Sequence, residues 1–215
     1  MSWFGVNMNI ENLRSIADKG VAWAQGRLGA YYVNGSEGLI PSAELGHEYI
    51  VKAAMQGHKQ ALYDAGHMFL EGIGCIADSD NGLHFLTEAA KKYHTDAFLR
   101  LAKYSMITLK NYEMAYYYYL LYMGCSDNHE KEDKETLSLI SDLLDVEVAK
   151  STYKEAEDLI NSKPPQSIEM LDYSGVYVEI SQNENNETEI SLATDDEYFP
   201  IALDAAHELI EQMTT

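Results

Sequence analysis

The residue types best suited to chemistry form two His–Glu pairs. His67 and Glu71 are four residues apart, and so are His84 and Glu88. On a helix, residues at this spacing lie on one face, so each pair could offer an imidazole and a carboxylate to one metal ion. Two ligands do not make a metal site. Both pairs are therefore interpreted as solvated or hydrogen-bonded side chains, and no metal site is predicted.

Sequence motifs of the common catalytic sites are absent. The chain has no Walker loop, no G-x-G-x-x-G, no G-x-S-x-G, no H-E-x-x-H and no C-x-x-C. The cysteines, Cys75 and Cys125, are 50 residues apart and are interpreted as small buried side chains. The acidic runs lack the spacing of a calcium-binding loop. The sequence therefore favours a protein that is not an enzyme and that needs no cofactor.

The elements that carry these residues recur at a period of about 36 residues. Ala24 recurs as Ala61 and as Ala97, and the pair Ala53-Ala54 recurs as Ala89-Ala90. Each period holds two helical patterns, helix A and helix B, joined by a loop. Self-similarity at such a period is the sequence signature of stacked helical repeats. We therefore predict a mainly α fold, a right-handed α-solenoid of helix–turn–helix units.

The motif within each period resembles a known repeat family. The segments AWAQGRLGAYYVNG…HEYIVKAAMQG and QALYDAGHMFLEGIG…LHFLTEAAKKY share alanines, a glycine, aromatic residues and a closing Ala-Ala pair in one register. This pattern is similar to the Sel-one-like repeats, a branch of the tetratricopeptide-like helical repeats with a longer, glycine-bearing loop. The resemblance covers roughly residues 10–126. It implies a protein-binding module, mostly a bacterial adaptor, although some such proteins serve as immunity proteins beside secreted toxins.

The tyrosine-rich segment MAYYYYLLYMG, Met114–Gly124, is predicted to be helix B of a third, degenerate repeat. Alignment with Tyr49 and Phe85 puts Tyr118 in the aromatic position of the repeat. The residues on the predicted buried stripe are Tyr119, Tyr122 and Met123. The residues predicted to face elsewhere are Tyr116, Tyr117 and Leu120. The segment lacks the Lys and Arg of membrane-surface helices, so we predict packing within the repeat array.

The sequence pattern beyond the repeats changes twice, first to two further helical patterns and then to an alternating, strand-like pattern. Apolar stripes that begin near Leu137 and Val148 predict two capping helices, which end at Pro164-Pro165. The alternating segments YSGVYVEIS and TEISLAT flank a polar turn and predict a β-hairpin. An apolar stripe over about 200–213 predicts a final helix. We predict two domains, the α-solenoid over 1–163 and an acidic hairpin-and-helix appendage over 164–215.

The net charge of −20 is concentrated in the second part of the chain. Residues 1–126 hold 10 bases and 12 acids, whereas residues 127–215 hold 5 bases and 23 acids. Such a field repels nucleic acid and anionic membranes and attracts basic proteins. We therefore predict an acidic binding surface on or beside the hairpin. Its residues are Glu179, Glu184, Glu187, Glu189, Asp195 and Asp196.

A second predicted binding surface is the concave face that the first helices of stacked repeats line. The residues assigned to it are Trp23, Val33, Tyr63, His67, Glu71 and Asp96. An exposed Trp and Tyr flanked by acids would make a plausible hot-spot surface. The alternative for Trp23 is that it packs against the preceding helix.

Two functions fit these features. The favoured hypothesis is an acidic immunity or inhibitor protein that neutralises a basic bacterial toxin, such as a nuclease, because opposite fields speed association. The alternative is a scaffold or regulatory adaptor that holds a peptide or a signalling partner in the concave groove.

No apolar run is long enough for a bilayer, and the N-terminus lacks signal-peptide features. We therefore expect a cytoplasmic monomer that contacts neither membrane nor nucleic acid.

Overall fold

The computed structural model describes residues 10–126 and 131–162, together with the backbone of two strands between residues 176 and 194. The fold is mainly helical, as predicted, and none of the described helices is long and apolar enough to cross a membrane. The helices are α1 (Ile10–Asp18), α2 (Ala22–Asn34), α3 (Ala43–Met55), α4 (Lys59–Glu71), α5 (Ser79–Lys91), α6 (Thr95–Tyr104), α7 (Tyr112–Cys125), α8 (Lys131–Asp142) and α9 (Val146–Asn161).

The chain divides into two compact units, Met1–Ala61 with Pro164–Thr215 and Leu62–Lys163. In the first unit, α1 packs on α2 through an apolar core. Leu13 and Ala17 of α1 and Trp23 of α2 are buried in this core. The side-chain amide of Gln25 also donates a hydrogen bond to the carbonyl oxygen of Ala17, at 3.2 Å. Helix α1 therefore covers the apolar face of α2, as expected of a helix that caps the start of a repeat array.

Helices A and B of the first repeat approach each other at a pair of glycines, and those of the second repeat do the same. A Cβ added at Gly29 would lie 2.9 Å from the carbonyl oxygen of Gly46. A Cβ added at Gly66 would lie 2.9 Å from the carbonyl oxygen of Gly82. Such distances are too short for any real side chain. The helix spacing in both repeats therefore requires glycine at these positions.

An aromatic pair holds helices A and B together in each of the first two repeats. The rings of Tyr32 and Tyr49 stack with centroids 5.9 Å apart and an interplanar angle of 7°. The rings of Phe69 and Phe85 stack at 5.6 Å and 5°. The register read from the sequence, in which Tyr49 corresponds to Phe85, is confirmed, and Tyr32 and Phe69 take equivalent positions opposite them. Offset aromatic stacking of this kind adds about 0.5–1.5 kcal/mol beyond the area it buries.

The second helix of every repeat begins at a capped residue. Ser42, Asp78 and Asn111 each accept a hydrogen bond from the backbone N–H three residues later, at 3.2, 3.0 and 3.0 Å. Such caps satisfy one of the backbone donors that a helix start leaves unpaired. Three different side chains thus perform one task at equivalent positions.

The tyrosine-rich segment is helix α7, and it is buried on more sides than the sequence predicts. Tyr119 and Tyr122 are buried, as predicted. Tyr116 and Leu120 are each only 8% exposed, so the prediction that they face away from the packed stripe is wrong. The reason is that α7 packs against α6 and also against α8 and α9. The repeat register accounts for the contact with α6 alone.

The capping helices α8 and α9 follow as predicted, and α9 approaches α7 most closely at Gly124. A Cβ added at Gly124 would collide with the side chain of Ile160. The side chains of Ile140 on α8 and Ala156 on α9 are almost completely buried, at 1% exposure each. Both capping helices are therefore packed parts of the second unit.

Two strands are described in the C-terminal part. β1 (Val176–Gln182) and β2 (Thr188–Thr194) pair antiparallel, with Val178 opposite Leu192. The predicted turn over 183–187 and the predicted helix over 200–213 lie outside the described residues. The hairpin-and-helix appendage therefore stays a prediction, and so does the domain boundary between residues 163 and 164.

Candidate protein-binding site

Helices α4 and α6 bring four of the predicted contact residues together in the second unit. Tyr63, His67 and Glu71 follow one another at a spacing of four on α4, which puts them on one helix face. Asp96 and Arg100 have the same spacing on α6. The Arg100 guanidinium donates a hydrogen bond to the Glu71 carboxylate and so joins the two helices. These five residues are called the α4–α6 face below.

The ring of Tyr63 lies at the centre of this face. It stacks on His94 with ring centroids 4.6 Å apart and on His67 at 6.5 Å, with interplanar angles of 11° and 10°. Burial raises the pKa of Tyr63, the Asp96 carboxylate raises it further, and Arg100 opposes both effects. The hydroxyl of Tyr63 is therefore neutral at pH 7. Its half-buried ring is held in place by two imidazoles, which lowers the entropy cost of presenting it to a partner.

His67 is an uncharged member of the face. Burial lowers its pKa and so does the Arg100 guanidinium, although Glu71 partly offsets them. Its Nδ1 atom is buried without a hydrogen-bond partner among the described residues. His67 therefore adds a flat, neutral ring beside the Tyr63 ring, and its lowered pKa disfavours protonation at pH 7.

Two carboxylates and one guanidinium supply the charge of the α4–α6 face. The side chains of Arg100 and Glu71 are 31% and 48% exposed. A pair that is this accessible to water contributes only about 0–1 kcal/mol to stability. Asp96 is exposed and lies close enough to Tyr63 to raise its pKa. These charges therefore contribute little to the stability of the fold and remain accessible to water.

The composition of the α4–α6 face differs from that of a metal site. The described residues contain no group of three or more His, Cys, Asp and Glu side chains placed to hold a metal ion. The α4–α6 face instead combines aromatic rings with an arginine and carboxylates. Aromatic residues and arginine are the side chains that carry most of the binding energy at protein interfaces.

Trp23 does not belong to any exposed face, and its assignment as a surface contact is corrected. Its side chain is 4% exposed and packs in the core with Leu13 and Ile16 of α1. The alternative weighed for Trp23, packing against the preceding helix, is what the structure shows. Val33 is half-buried and lies over Gly46 of α3. Since both residues belong to the first unit, a concave face continuous through both units stays a prediction.

The predicted acidic surface lies mainly outside the described residues. Glu179 is paired with Ser191 in the strand ladder, and Glu189 is paired with Ser181. The residues outside the described part are Glu184, Glu187, Asp195 and Asp196. A binding role for these carboxylates therefore stays a prediction.

Sequence reasoning missed Arg100, which belongs to the α4–α6 face, and His94, whose ring stacks on Tyr63. Arg100 is four residues after Asp96, so the register that selected Asp96 could also have found it. His94 immediately precedes α6, and its ring reaches Tyr63 from the helix start. No helical periodicity indicates such a contact, because His94 is not yet part of the helix.

Three segments of the chain match the Sel1 repeat: residues 24–58, 59–94 and 100–121. They correspond to the helix pairs α2–α3, α4–α5 and α6–α7. The repeats read from the sequence are therefore confirmed.

Curated relatives are chitin synthase regulators of yeasts. The chain is 34% identical to chitin synthase regulator SKT5 of Saccharomyces cerevisiae over 93 residues, which is 43% of this chain and 13% of the relative. It is 40% identical to chitin synthase regulatory factor 1 of Schizosaccharomyces pombe over 62 residues, 28% of this chain and 14% of the relative. The chain thus spans only a small part of the length of these relatives.

Solved structures share the fold. A Sel1 repeat protein from Oxalobacter formigenes superimposes with a TM-score of 0.55 at 21% identity, over 69% of this chain and 64% of the other. A protective antigen of uropathogenic Escherichia coli with an SLR fold superimposes with a TM-score of 0.57 at 21% identity, over 76% of this chain and 38% of the other. Three segments of this chain therefore match the Sel1 repeat, and the chain shares its helical fold with solved Sel1 repeat proteins.

Proposed function

We propose that this chain is a non-enzymatic regulatory adaptor that binds a segment of another protein on the α4–α6 face. The observation that carries the proposal is the Tyr63 stack. A half-buried aromatic ring, held between His94 and His67 and bordered by Asp96 and Arg100, has the composition of an interface hot spot. The described residues at this position complete no catalytic or metal-binding group.

The relatives support regulation over toxin neutralisation. The names of the chitin synthase regulators describe proteins that act on another protein, and the shared repeats are the part that this chain has in common with them. The inhibitor hypothesis favoured by the sequence rests on the net charge and on the immunity proteins that the repeat resemblance implies, and none of these relatives is named as one. The scaffold alternative is therefore the better supported of the two, and a cytoplasmic location remains part of the proposal.

The partner that fits the α4–α6 face is a peptide segment with an apolar or aromatic side chain beside a basic one. The apolar group would cover the Tyr63 ring, and the basic group would reach the exposed Asp96 carboxylate. Removing a half-buried tyrosine and a close charge pair from water would supply most of the affinity.

The test uses the full chain and a matched pair of charge reversals. Partners are first captured from the native host and identified by mass spectrometry, and the affinity of each purified partner is then measured. We expect Asp96→Lys to weaken binding about tenfold, the equivalent of about 1.4 kcal/mol. The control is Asp80→Lys, because Asp80 is also exposed and is also the second residue of its helix, but on α5. We expect the control to change affinity less than about twofold, since exposed charges away from an interface contribute little.

Both variants change the net charge equally, so the comparison separates a local contact from a general field. Equal weakening by the two reversals, or none by Asp96→Lys, would refute binding on the α4–α6 face. Recovery of one stoichiometric basic toxin, with affinity that falls steeply with salt, would instead support the inhibitor hypothesis.

A further inference from the structure

A groove opens where the α8–α9 turn meets helix α7. Its volume is about 500 Å³, and the whole groove lies in the second unit. Most of its lining is apolar or aromatic: Tyr116, Leu144, Val146, Ala149 and Tyr153. It is called the α7–α9 groove below. The buried side chain of Tyr116 belongs to its wall, which gives one member of the tyrosine run a place at this surface.

Large apolar side chains around the α7–α9 groove are exposed to water. Val146 is 64% exposed and Tyr153 is 50% exposed, although both line the groove. Leu143 lies between two lining residues in the chain and is 61% exposed. Leu139, one helical turn earlier, is 66% exposed. Single exposed apolar residues are ordinary, but a cluster around a concavity is typical of an interaction site.

The segment that forms the rim of the groove carries a net negative charge. The described residues of this region, 131–162, contain nine Asp and Glu and four Lys. Asp142 lines the groove, and Lys150, which also lines it, is paired with Glu147 at 3.0 Å. The Glu155 carboxylate lies near Tyr117, the neighbour of Tyr116 on α7. A binding partner must therefore bring apolar side chains for the floor and positive charge for the rim.

The walls of the groove favour a helical partner over an extended one. They are formed by α7, by the end of α8, by α9 and by the turn between α8 and α9, so they present no strand edge with which an extended peptide could pair. A peptide that leaves its backbone groups unpaired in an apolar site loses binding free energy for each buried polar group. A helix satisfies its backbone groups internally and can lay one apolar stripe along the groove.

We propose that the α7–α9 groove binds an amphipathic helix of a partner protein, with apolar anchors on one face and Lys or Arg on its flanks. A second copy of this chain is a poorer occupant, because it would bring a second segment of the same net negative charge into contact with the first. The site is distinct from the α4–α6 face, and the inference does not depend on the function proposed for that face.

The test measures fluorescence anisotropy of a labelled model helix against the full chain. The probe has Leu at i, i+3, i+4 and i+7 and Lys at the flanking positions. A scrambled peptide of the same composition has the same charge but no apolar stripe. We expect the probe to bind and Val146→Ser to raise its Kd about fivefold or more, from the apolar area removed. The matched control is Ile76→Ser, because Ile76 is 91% exposed and does not line the groove.

Three outcomes would overturn the proposal. The first is equal binding of the probe and the scrambled peptide, which would mean that charge alone attracts them. The second is a probe affinity that Val146→Ser leaves unchanged or that Ile76→Ser lowers equally. The third is a concentration-dependent dimer of the full chain that Val146→Ser dissociates, which would make a second copy the occupant. Circular dichroism of both variants verifies that they remain folded.

Discussion

Replacing Gly29 with alanine tests whether the repeat depends on the close approach of its two helices. Gly29 lies on α2, facing α3. A Cβ at this position would lie 2.7 Å from Cγ1 of Ile50, 2.9 Å from the carbonyl oxygen of Gly46 and 3.0 Å from the backbone nitrogen of Ile50. A side chain can rotate away, but two of these three atoms are backbone. Helix α3 as a whole would have to move.

The size of the effect follows from two opposing contributions. Alanine in place of glycine inside a helix stabilises by about 1 kcal/mol, because glycine has more conformational freedom to lose. Overpacking a close helix contact costs about 1–3 kcal/mol, and contacts with backbone atoms belong at the upper end. We expect Gly29→Ala to lower the free energy of unfolding by about 1–2 kcal/mol in total.

Gly26→Ala is the matched control, because Gly26 lies on the same helix, three residues earlier. A Cβ there would meet its nearest atom, Cβ of Ala53, at 3.7 Å, which is ordinary van der Waals contact. This variant is expected to gain up to about 1 kcal/mol. Urea unfolding followed by circular dichroism measures both changes. If Gly29→Ala were as stable as Gly26→Ala, the close helix contact would not explain the recurring glycine.

Three further predictions concern the core, the caps and a buried hydroxyl. Trp23→Ala is expected to cost about 3–5 kcal/mol in urea unfolding, whereas Trp23→Phe costs clearly less, because Trp23 belongs to the core. Asp78 accepts hydrogen bonds from Asn81 that lower the pKa of its carboxyl group. The ionised carboxylate therefore stabilises the fold above the usual pKa of Asp, and this contribution is lost as the pH falls through the lowered pKa. Asp78→Asn is expected to flatten the acid limb of the stability–pH curve. Burial and a 3.0 Å hydrogen bond to Asp133 raise the pKa of Tyr119 to about 12. The neutral hydroxyl therefore stabilises the fold below about pH 10, and this contribution is lost as the pH rises towards 12. Tyr119→Phe is expected to remove that alkaline loss, which thermal unfolding at several pH values measures.

The sequence predicts the repeats because their packing positions recur. Ala24, Ala61 and Ala97 are all fully or almost fully buried, at 0%, 1% and 0% exposure. Each occupies the same place in its helix pair, so the same steric demand selects the same residue. The N-caps and the stacked aromatic rings follow the same logic. Features that depend on contacts within one repeat were therefore predictable.

The errors arise where a helix contacts something outside its own repeat. Trp23 is buried by Leu13 and Ile16 of α1, a helix that precedes the first repeat. Leu120 is buried because α7 also packs against the capping helices, and a periodicity of one helix does not identify a second neighbour. The Glu71–Arg100 pair joins residues 29 apart, a separation that no local spacing encodes. Sequence patterns report a buried face, but the number of buried faces depends on tertiary structure.

Several side chains of the α4–α6 face differ from the residues at the equivalent positions of the other repeats. In the register that aligns Ala24, Ala61 and Ala97, the position of Tyr63 is Gly26 in the first repeat and Leu99 in the third. The position of His67 is Ala30 in the first and Lys103 in the third. Packing does not select these side chains, because the same helix pair forms with a different residue in each repeat. A Tyr, a neutral His and an Arg–Glu pair on one face therefore need another explanation. Recognition of a partner supplies one, because it acts on a single repeat rather than on all three.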